Sequence, residues 1–275
     1  MSTLLVTDLD GTLWDDTEIC HPRTLEAVAE LERRGVPLLV ATGRRRWGAE
    51  LGFERNRLKL PAVLVNGAAG YDFRSGVQLF EDKFDLAFIT EVVVRLEEVG
   101  LSPALFTSPD QVVVGPNPTV GPKYVGSIER GLVQSDNLVR FVASEEAAIL
   151  GFAFLAMTRR QLDQARATLA ELNYDSYSFH NDLFFPGWML MGQAPGVNKW
   201  TGIRRYVDDV LGEVDRIVVV GDSTNDVPMF TEADLSVWVD DGSGLSSLAD
   251  QADLKIDGPS GGGWAAMVDL VSEAA

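Results

Sequence analysis

Short apolar runs and helical stripes alternate along the first third of this chain. Leu4-Leu5-Val6 is a continuous apolar run. Residues 24–34 carry Leu25, Val28 and Leu31 at helical spacing, and Gly35 follows as a helix stop. A second apolar run covers 36–41, a helix is predicted from Arg44 to Phe53, and a third run covers 62–65. Strands that are apolar throughout, rather than alternating, are those buried on both faces. The pattern therefore predicts a parallel sheet covered by helices on both sides.

The rhythm then changes. A helix is predicted over 85–99, a strand pair over 103–107 and 111–114, and a proline- and glycine-rich loop over 115–121. A strand over 147–156 and a helix over 159–172 follow. Next comes a hairpin of 174–179 with 183–188, turning at His180-Asn181-Asp182. The α/β alternation returns with a helix over 197–211, a strand over 216–220 and a helix over 227–232. Strands over 235–239 and 254–256 and a last helix over 264–271 complete the chain. The expected fold class is α/β, a Rossmann-like doubly wound parallel-sheet core. It is built from residues 1–82 and 191–275, with an inserted α+β domain over 83–190.

Two of the apolar runs end in acidic turns, Asp8-Leu9-Asp10-Gly11-Thr12-Leu13 and Gly221-Asp222-Ser223-Thr224-Asn225-Asp226. Ligands of open α/β sheets bind at strand ends. If the two strands are neighbours, the carboxylates of Asp8, Asp10, Asp222 and Asp226 converge and repel unless a cation sits among them. Carboxylates without His or Cys partners favour Mg²⁺. In the first turn, one Asp can attack phosphorus while the other moves a proton. Thr42-Gly43-Arg44 opens a helix, where a hydroxyl and free N–H groups suit either an anion or an ordinary cap. Lys199 is a single cation suited to a phosphate and to the Asp8 carboxylate. Asp222 can ligate a metal directly, and Asn225 and Asp226 can hold its waters or position Lys199.

Charge narrows the partners. With 23 basic against 41 acidic residues the formal net charge is −18, which argues against nucleic acid and anionic membranes and requires any phosphate to be held locally. The single cysteine, Cys20, allows no intrachain disulfide and is expected to be buried and inert. No signal-peptide pattern is visible, and the longest apolar run, 147–157, is too short to span a bilayer. A cytoplasmic protein is the expectation; nothing in the sequence indicates its oligomeric state.

In this order, Asp8–Thr12, Thr42–Arg44, Lys199 and Gly221–Asp226 resemble the four motifs of the haloacid dehalogenase (HAD) superfamily of phosphohydrolases. The long insert and Asn66-Gly67-Ala68 resemble its class IIB, or Cof-like, branch. The resemblance implies that Asp8 is the nucleophile and a Mg²⁺ ligand. It implies that Asp10 is the general acid/base and lends the metal its carbonyl. Thr42, the Gly43 N–H and Lys199 would hold the phosphoryl group. Asp222 would complete the protein ligands, supported by Asn225 and Asp226. Asp10 separates the chain from the dehalogenases and P-type ATPases of the superfamily, leaving phosphatase or phosphomutase.

The expected function is a Mg²⁺-dependent phosphomonoesterase acting on a small phosphorylated metabolite through an aspartyl phosphate. The alternatives are a phosphomutase and a non-enzymatic binding protein on the same scaffold. The stretch 221–229 resembles that of mannosyl-phosphoglycerate and sucrose-phosphate phosphatases, which implies a sugar phosphate. Val239-Asp240-Asp241-Gly242 departs from the Met-Gly-Asn-Ala turn of Cof-like proteins. Flavin and pyridoxal phosphates stay open, since aromatic residues in the insert can stack a ring. Candidate specificity residues are His180, Asn181, Phe185, Trp188 and Met189 in the insert, Trp14 facing the leaving group, and the run Arg44-Arg45-Arg46 reading a second anionic group.

Overall fold

The computed structural model describes residues 2–119, 130–144, 148–181, 187–240 and 249–272. The chain first lays down β1 (Thr3–Thr7), α1 (Pro22–Arg33), β2 (Leu38–Ala41), α2 (Arg46–Asn56), β3 (Pro61–Leu64), β4 (Ala69–Asp72) and β5 (Val77–Glu81). It continues through α3 (Leu86–Glu98), β6 (Ala104–Thr107), β7 (Gln111–Val114), β8 (Leu132–Gln134), α4 (Leu138–Val142), β9 (Ile149–Met157), α5 (Arg159–Glu171), β10 (Tyr177–Asn181) and β11 (Gly187–Gln193). It ends with α6 (Lys199–Tyr206), β12 (Arg216–Gly221), α7 (Val227–Glu232), β13 (Leu235–Asp240), β14 (Leu254–Asp257) and α8 (Met267–Ser272).

Two compact units result, Met1–Phe80 with Asn198–Ala275, and Glu81–Val197. The seams lie at 80/81 and 197/198 rather than at 82/83 and 190/191. The second lies further along because β11 runs on to Gln193, paired with β9 in the second unit's sheet.

The first unit holds an eight-stranded sheet of order β14-β13-β12-β1-β2-β3-β4-β5. From β14 to β3 the neighbours are parallel; β4 runs antiparallel to β3. Leu4, Leu5 and Val6 of β1 and Val218, Val219 and Val220 of β12 are all fully buried, as continuous apolar runs require. Each such side chain contributes about 1.5–3 kcal/mol of burial. The chain winds from β1 outward through β2 and β3, then returns on β1's other side with β12, β13 and β14. The topological switch point therefore falls between β1 and β12. Their register pairs Thr7 with Val220, so the two acidic turns leave the sheet side by side.

The pair β4 and β5 is not foreshadowed by the apolar pattern. Gly70 stands within β4, and the Phe80 ring fills its side-chain space: a Cβ there would lie 2.3 Å from Phe80 Cε1. The predicted 197–211 helix is shorter, with α6 ending at Tyr206 and a wider π turn following over Val207–Leu211. The predicted helix from Arg44 begins two residues later, at Arg46.

The second unit holds a six-stranded sheet of order β10-β11-β9-β6-β7-β8. Its neighbours are antiparallel except β7 with β8. Ile89, Val92, Val93 and Leu96 of α3 and Leu162, Ala165 and Leu169 of α5 form one core with Leu105, Phe152, Phe154 and Leu190 of the strands. β8 and α4 are additions to the sequence reading. His180 and Asn181, expected at a hairpin turn, instead end β10, where His180 pairs with Trp188. Phe185, the start of the 147–156 strand, the end of the 115–121 loop and Asp241-Gly242 lie outside the described residues. Among the described residues no helix is long and apolar enough to cross a membrane.

Candidate active site

The turn after β1 is built on Leu9, which is fully buried and whose carbonyl accepts the N–H groups of Thr12, Leu13 and Trp14 at 3.2, 2.9 and 3.1 Å. Beneath it, Trp264 donates through Nε1 to the Thr7 hydroxyl at 3.0 Å, and both residues are buried. The Asp8 N–H donates to Val220 O at 3.0 Å, tying the nucleophile candidate to β12. Gly11 has φ 73°, and a Cβ there would lie 2.5 Å from Asp222 Oδ2. Both the backbone conformation and the approach of Asp222 exclude a side chain at this position. The Thr12 hydroxyl donates to Asp222 Oδ1 and joins the two turns.

Lys199 sits at the start of α6, which Asn198 caps by accepting from the Thr201 N–H at 3.1 Å. Its fully buried ammonium lies 2.8 Å from Asp8 Oδ2 and 2.6 Å from Asp226 Oδ1. Burial disfavours the charge, but the carboxylates of Asp226 and Asp8 outweigh it and hold Lys199 protonated. Asp8 is pulled the other way. Burial raises its carboxyl to about 7, against the lowering effect of Lys199 and with the added push of Asp226 and Asp10.

Asp226 accepts the N–H groups of Asp222 (3.0 Å) and Ser223 (2.9 Å) on Oδ2, besides Lys199 on Oδ1. A side chain at Gly221 would strike it, with Cβ 2.5 Å from Asp226 Cγ. Asp8, Asp222 and Asp226 bring carboxylate oxygens within 4.8 Å of one another. Because Asp226 already accepts three hydrogen bonds, Asp8 and Asp222 are the better-suited metal ligands of the three.

The loop after β2 closes the ring of residues. Thr42 is buried, and its hydroxyl accepts the Arg44 N–H at 3.1 Å. Its carbonyl accepts the Asn66 N–H at 3.0 Å. Asn225 Nδ2 donates to Asn66 Oδ1 at 2.9 Å, and a Cβ at Gly43 would lie 3.0 Å from the same oxygen. Asn66 therefore joins the Thr42 loop to the Gly221–Asp226 loop. The run Val65-Asn66-Gly67 has positive φ throughout, a costly conformation for a β-branched valine. The sequence marks this turn as a motif without revealing that it links the two loops.

Asp10 turns away from the other carboxylates. Arg44 donates to it from Nε (2.7 Å) and Nη2, and the Trp14 Nε1–H donates at 3.0 Å. Partial desolvation works to raise the pKa of this half-exposed carboxyl, but the charge and hydrogen bonds of Arg44 and the Trp14 bond take it below the ordinary carboxylate value.

Trp14 does not face a leaving group. It is fully buried, edge-on to Phe53 with ring centroids 6.1 Å apart, and it sits where a Cβ on Gly52 would be. Its indole serves Asp10 from below. The three arginines are likewise engaged, each guanidinium lying over a ring: Arg44 on Trp14, Arg45 on Trp47 and Arg46 on Tyr71, at 5.2, 5.1 and 5.2 Å. His180, Trp188 and Met189 belong to the second unit. There the His180 and Trp188 rings meet edge to face at 5.0 Å, and Arg159 covers Trp188 at 5.1 Å.

Known proteins resemble this chain in sequence or in fold. A pyridoxal phosphate phosphatase, YbhA of Escherichia coli K12, is 22% identical over 246 residues, covering 85% of this chain and 86% of its own. A haloacid dehalogenase-like hydrolase from B. subtilis superposes with a TM-score of 0.79 at 18% identity, over 98% of this chain and 99% of that one. The HAD subclass IIB sugar phosphatase BT4131 does so with a TM-score of 0.72 at 16% identity, over 98% and 99%. At these identities the superpositions establish the fold. The family model for haloacid dehalogenase-like hydrolases matches residues 5–254. The chain belongs to the haloacid dehalogenase-like hydrolase family.

Proposed function

We propose that this protein is a class IIB phosphatase that hydrolyses small phosphate monoesters, sugar phosphates foremost, through a phosphorylated Asp8. The observation that carries the reading is the buried contact of Lys199 with both Asp8 and Asp226, beside Asp222. It sets a carboxylate nucleophile next to a fixed cation at the switch point of the sheet.

In the first half-reaction an Asp8 carboxylate oxygen bonds to phosphorus as the bond to the ester oxygen breaks. Asp10, which can hold a proton only once it has turned from Arg44, gives it to that oxygen, and the alcohol leaves. In the second, Asp10 takes a proton from water as the water oxygen bonds to phosphorus. The phosphorus–Asp8 bond breaks, releasing inorganic phosphate and restoring both carboxyls. The Thr42 hydroxyl, the Gly43 N–H and Lys199 bind and orient the transferring group. Asp8, Asp222 and the Asp10 carbonyl would hold Mg²⁺, with Asn225 and Asp226 in support; when bound it neutralises charge on the phosphoryl oxygens. The acidic cluster suits such a cation, and Gly11 leaves space for the approach of Asp222.

The sugar-phosphate preference rests on the motif form at 221–229 and on the likeness to a sugar phosphatase fold. The pyridoxal phosphate phosphatase relative supports pyridoxal 5′-phosphate as a second candidate. The test is phosphate release from a panel of sugar phosphates, flavin mononucleotide and pyridoxal phosphate, with Mg²⁺ and with EDTA. Metal-dependent release with sugar phosphates fastest supports the full reading. Pyridoxal phosphate fastest would replace the substrate class, and no release from any monoester would overturn the activity.

A further inference from the structure

Outside the four motifs, the segment between Trp14 and Cys20 is stitched to α2. Asn56, buried on the last turn of that helix, donates through Nδ2 to the carbonyls of Glu18 and Gly52, both at 2.8 Å. Its Oδ1 accepts the Cys20 N–H at 2.7 Å. Glu18 is held at φ 60°, in the left-handed region that glutamate seldom adopts. In that posture its carboxylate takes Arg44 Nη2 on Oε1 at 2.7 Å and Arg55 on Oε2.

Arg44 forks the other way onto Asp10, and its Nη1 donates to the Gly48 carbonyl at 3.0 Å. One guanidinium is therefore shared between Asp10 and a carboxylate whose backbone is fixed by a buried asparagine.

We propose that Glu18 is a positioning residue that acts on Asp10 through Arg44; this rests on the phosphatase reading above. When the phosphorus–ester oxygen bond breaks and the Asp8–phosphorus bond forms, the proton on Asp10 passes to the leaving oxygen. Asp10 must turn from the guanidinium toward that oxygen while the guanidinium stays in place. Glu18 holds Arg44 through that turn, because a shared guanidinium that loses one carboxylate still has the other. Without Glu18, Arg44 closes on Asp10 and keeps the acid off the leaving oxygen. The dependence is specific to leaving groups that need a proton.

The test compares Glu18→Gln with the wild type by kcat/KM, which reports the steps up to phosphoryl transfer, on two kinds of monoester. p-Nitrophenyl phosphate expels a stable phenolate unaided. Glycerol 3-phosphate, glucose 6-phosphate and fructose 1-phosphate expel alkoxides that require the proton. The expected result is a fall of about tenfold or more on the fastest of the alkyl esters and a change of less than about threefold on the aryl ester. Arg55→Ala, which removes the other partner of Glu18 and leaves Arg44 alone, is expected to keep the wild-type ratio. Equal losses on both esters, or no loss on either, overturn the positioning role. If Glu18→Gln does not fold, Glu18→Asp reads the same ratio with a shortened reach. A wild type that releases phosphate from no monoester overturns the phosphatase reading itself, an outcome visible before any variant is compared.

Discussion

Lys199 Nζ lies 2.6 Å from Asp226 Oδ1, and neither side chain is exposed at all. Removing one partner of a buried ion pair leaves the other charge without compensation. Lys199→Met should therefore destabilise the protein by about 3–5 kcal/mol in urea unfolding, besides abolishing activity. Part of that loss should return on acidification, when Asp8 can take up a proton. A loss below about 1 kcal/mol would contradict the buried pairing.

The Asp8 carboxyl is raised by burial from 3.8 to about 7. Between those values the folded state holds a proton that the unfolded state has lost. The metal-free protein should lose the corresponding stability as pH rises from about 4 to about 7. The difference in Tm between wild type and Asp8→Asn isolates this contribution, and it should shift in favour of the variant across that window. Saturating Mg²⁺ should diminish the slope, because a cation favours the carboxylate. A difference independent of pH would contradict the assignment.

Gly52 lies inside α2, where Gly→Ala ordinarily stabilises by about 0.5–1 kcal/mol. Here the added Cβ would lie 2.4 Å from the Trp14 ring. Gly52→Ala should destabilise instead, by about 1–3 kcal/mol. Because Trp14 Nε1 holds Asp10, phosphate release should fall as well, although the substitution touches no polar group. Thermal melts and steady-state rates on the same preparation check both effects.

Burial, with Asp15 adding to it, pushes the Cys20 thiol up to about 12. The thiolate is the reactive form. The native protein should therefore resist iodoacetamide at pH 8 and react promptly once unfolded in urea. Mass spectrometry of the Cys20 peptide reads the difference, and rapid labelling of the native protein would contradict it.

The adjacency of the two acidic turns follows from features the sequence displays. The runs ending at Thr7 and Val220 are apolar on both faces, and a doubly wound sheet has few places to put them. What surrounds the turns depends on neighbours distant in the chain. Trp14 looks like a residue free to meet a ligand until Gly52 and Phe53 enclose it. Gly70 looks like a break until Phe80 occupies its vacant side-chain space, which is why β4 and β5 were not foreshadowed. Glu18 carries no motif at all; its place depends on a left-handed backbone and on Asn56, 38 residues further on. In the second unit, local spacing did not indicate that His180 extends a strand, because its partner is Trp188 across the sheet.

If Asp8 carries the phosphoryl group, that group can be trapped on it. The protein is mixed with the fastest monoester and Mg²⁺, quenched in acid within the first turnover, digested and analysed by mass spectrometry. One added phosphoryl group is expected on the peptide containing Asp8, removed by hydroxylamine and absent from Asp8→Asn. Phosphate release at the wild-type rate from Asp8→Asn, with no modified peptide in either protein, would contradict it.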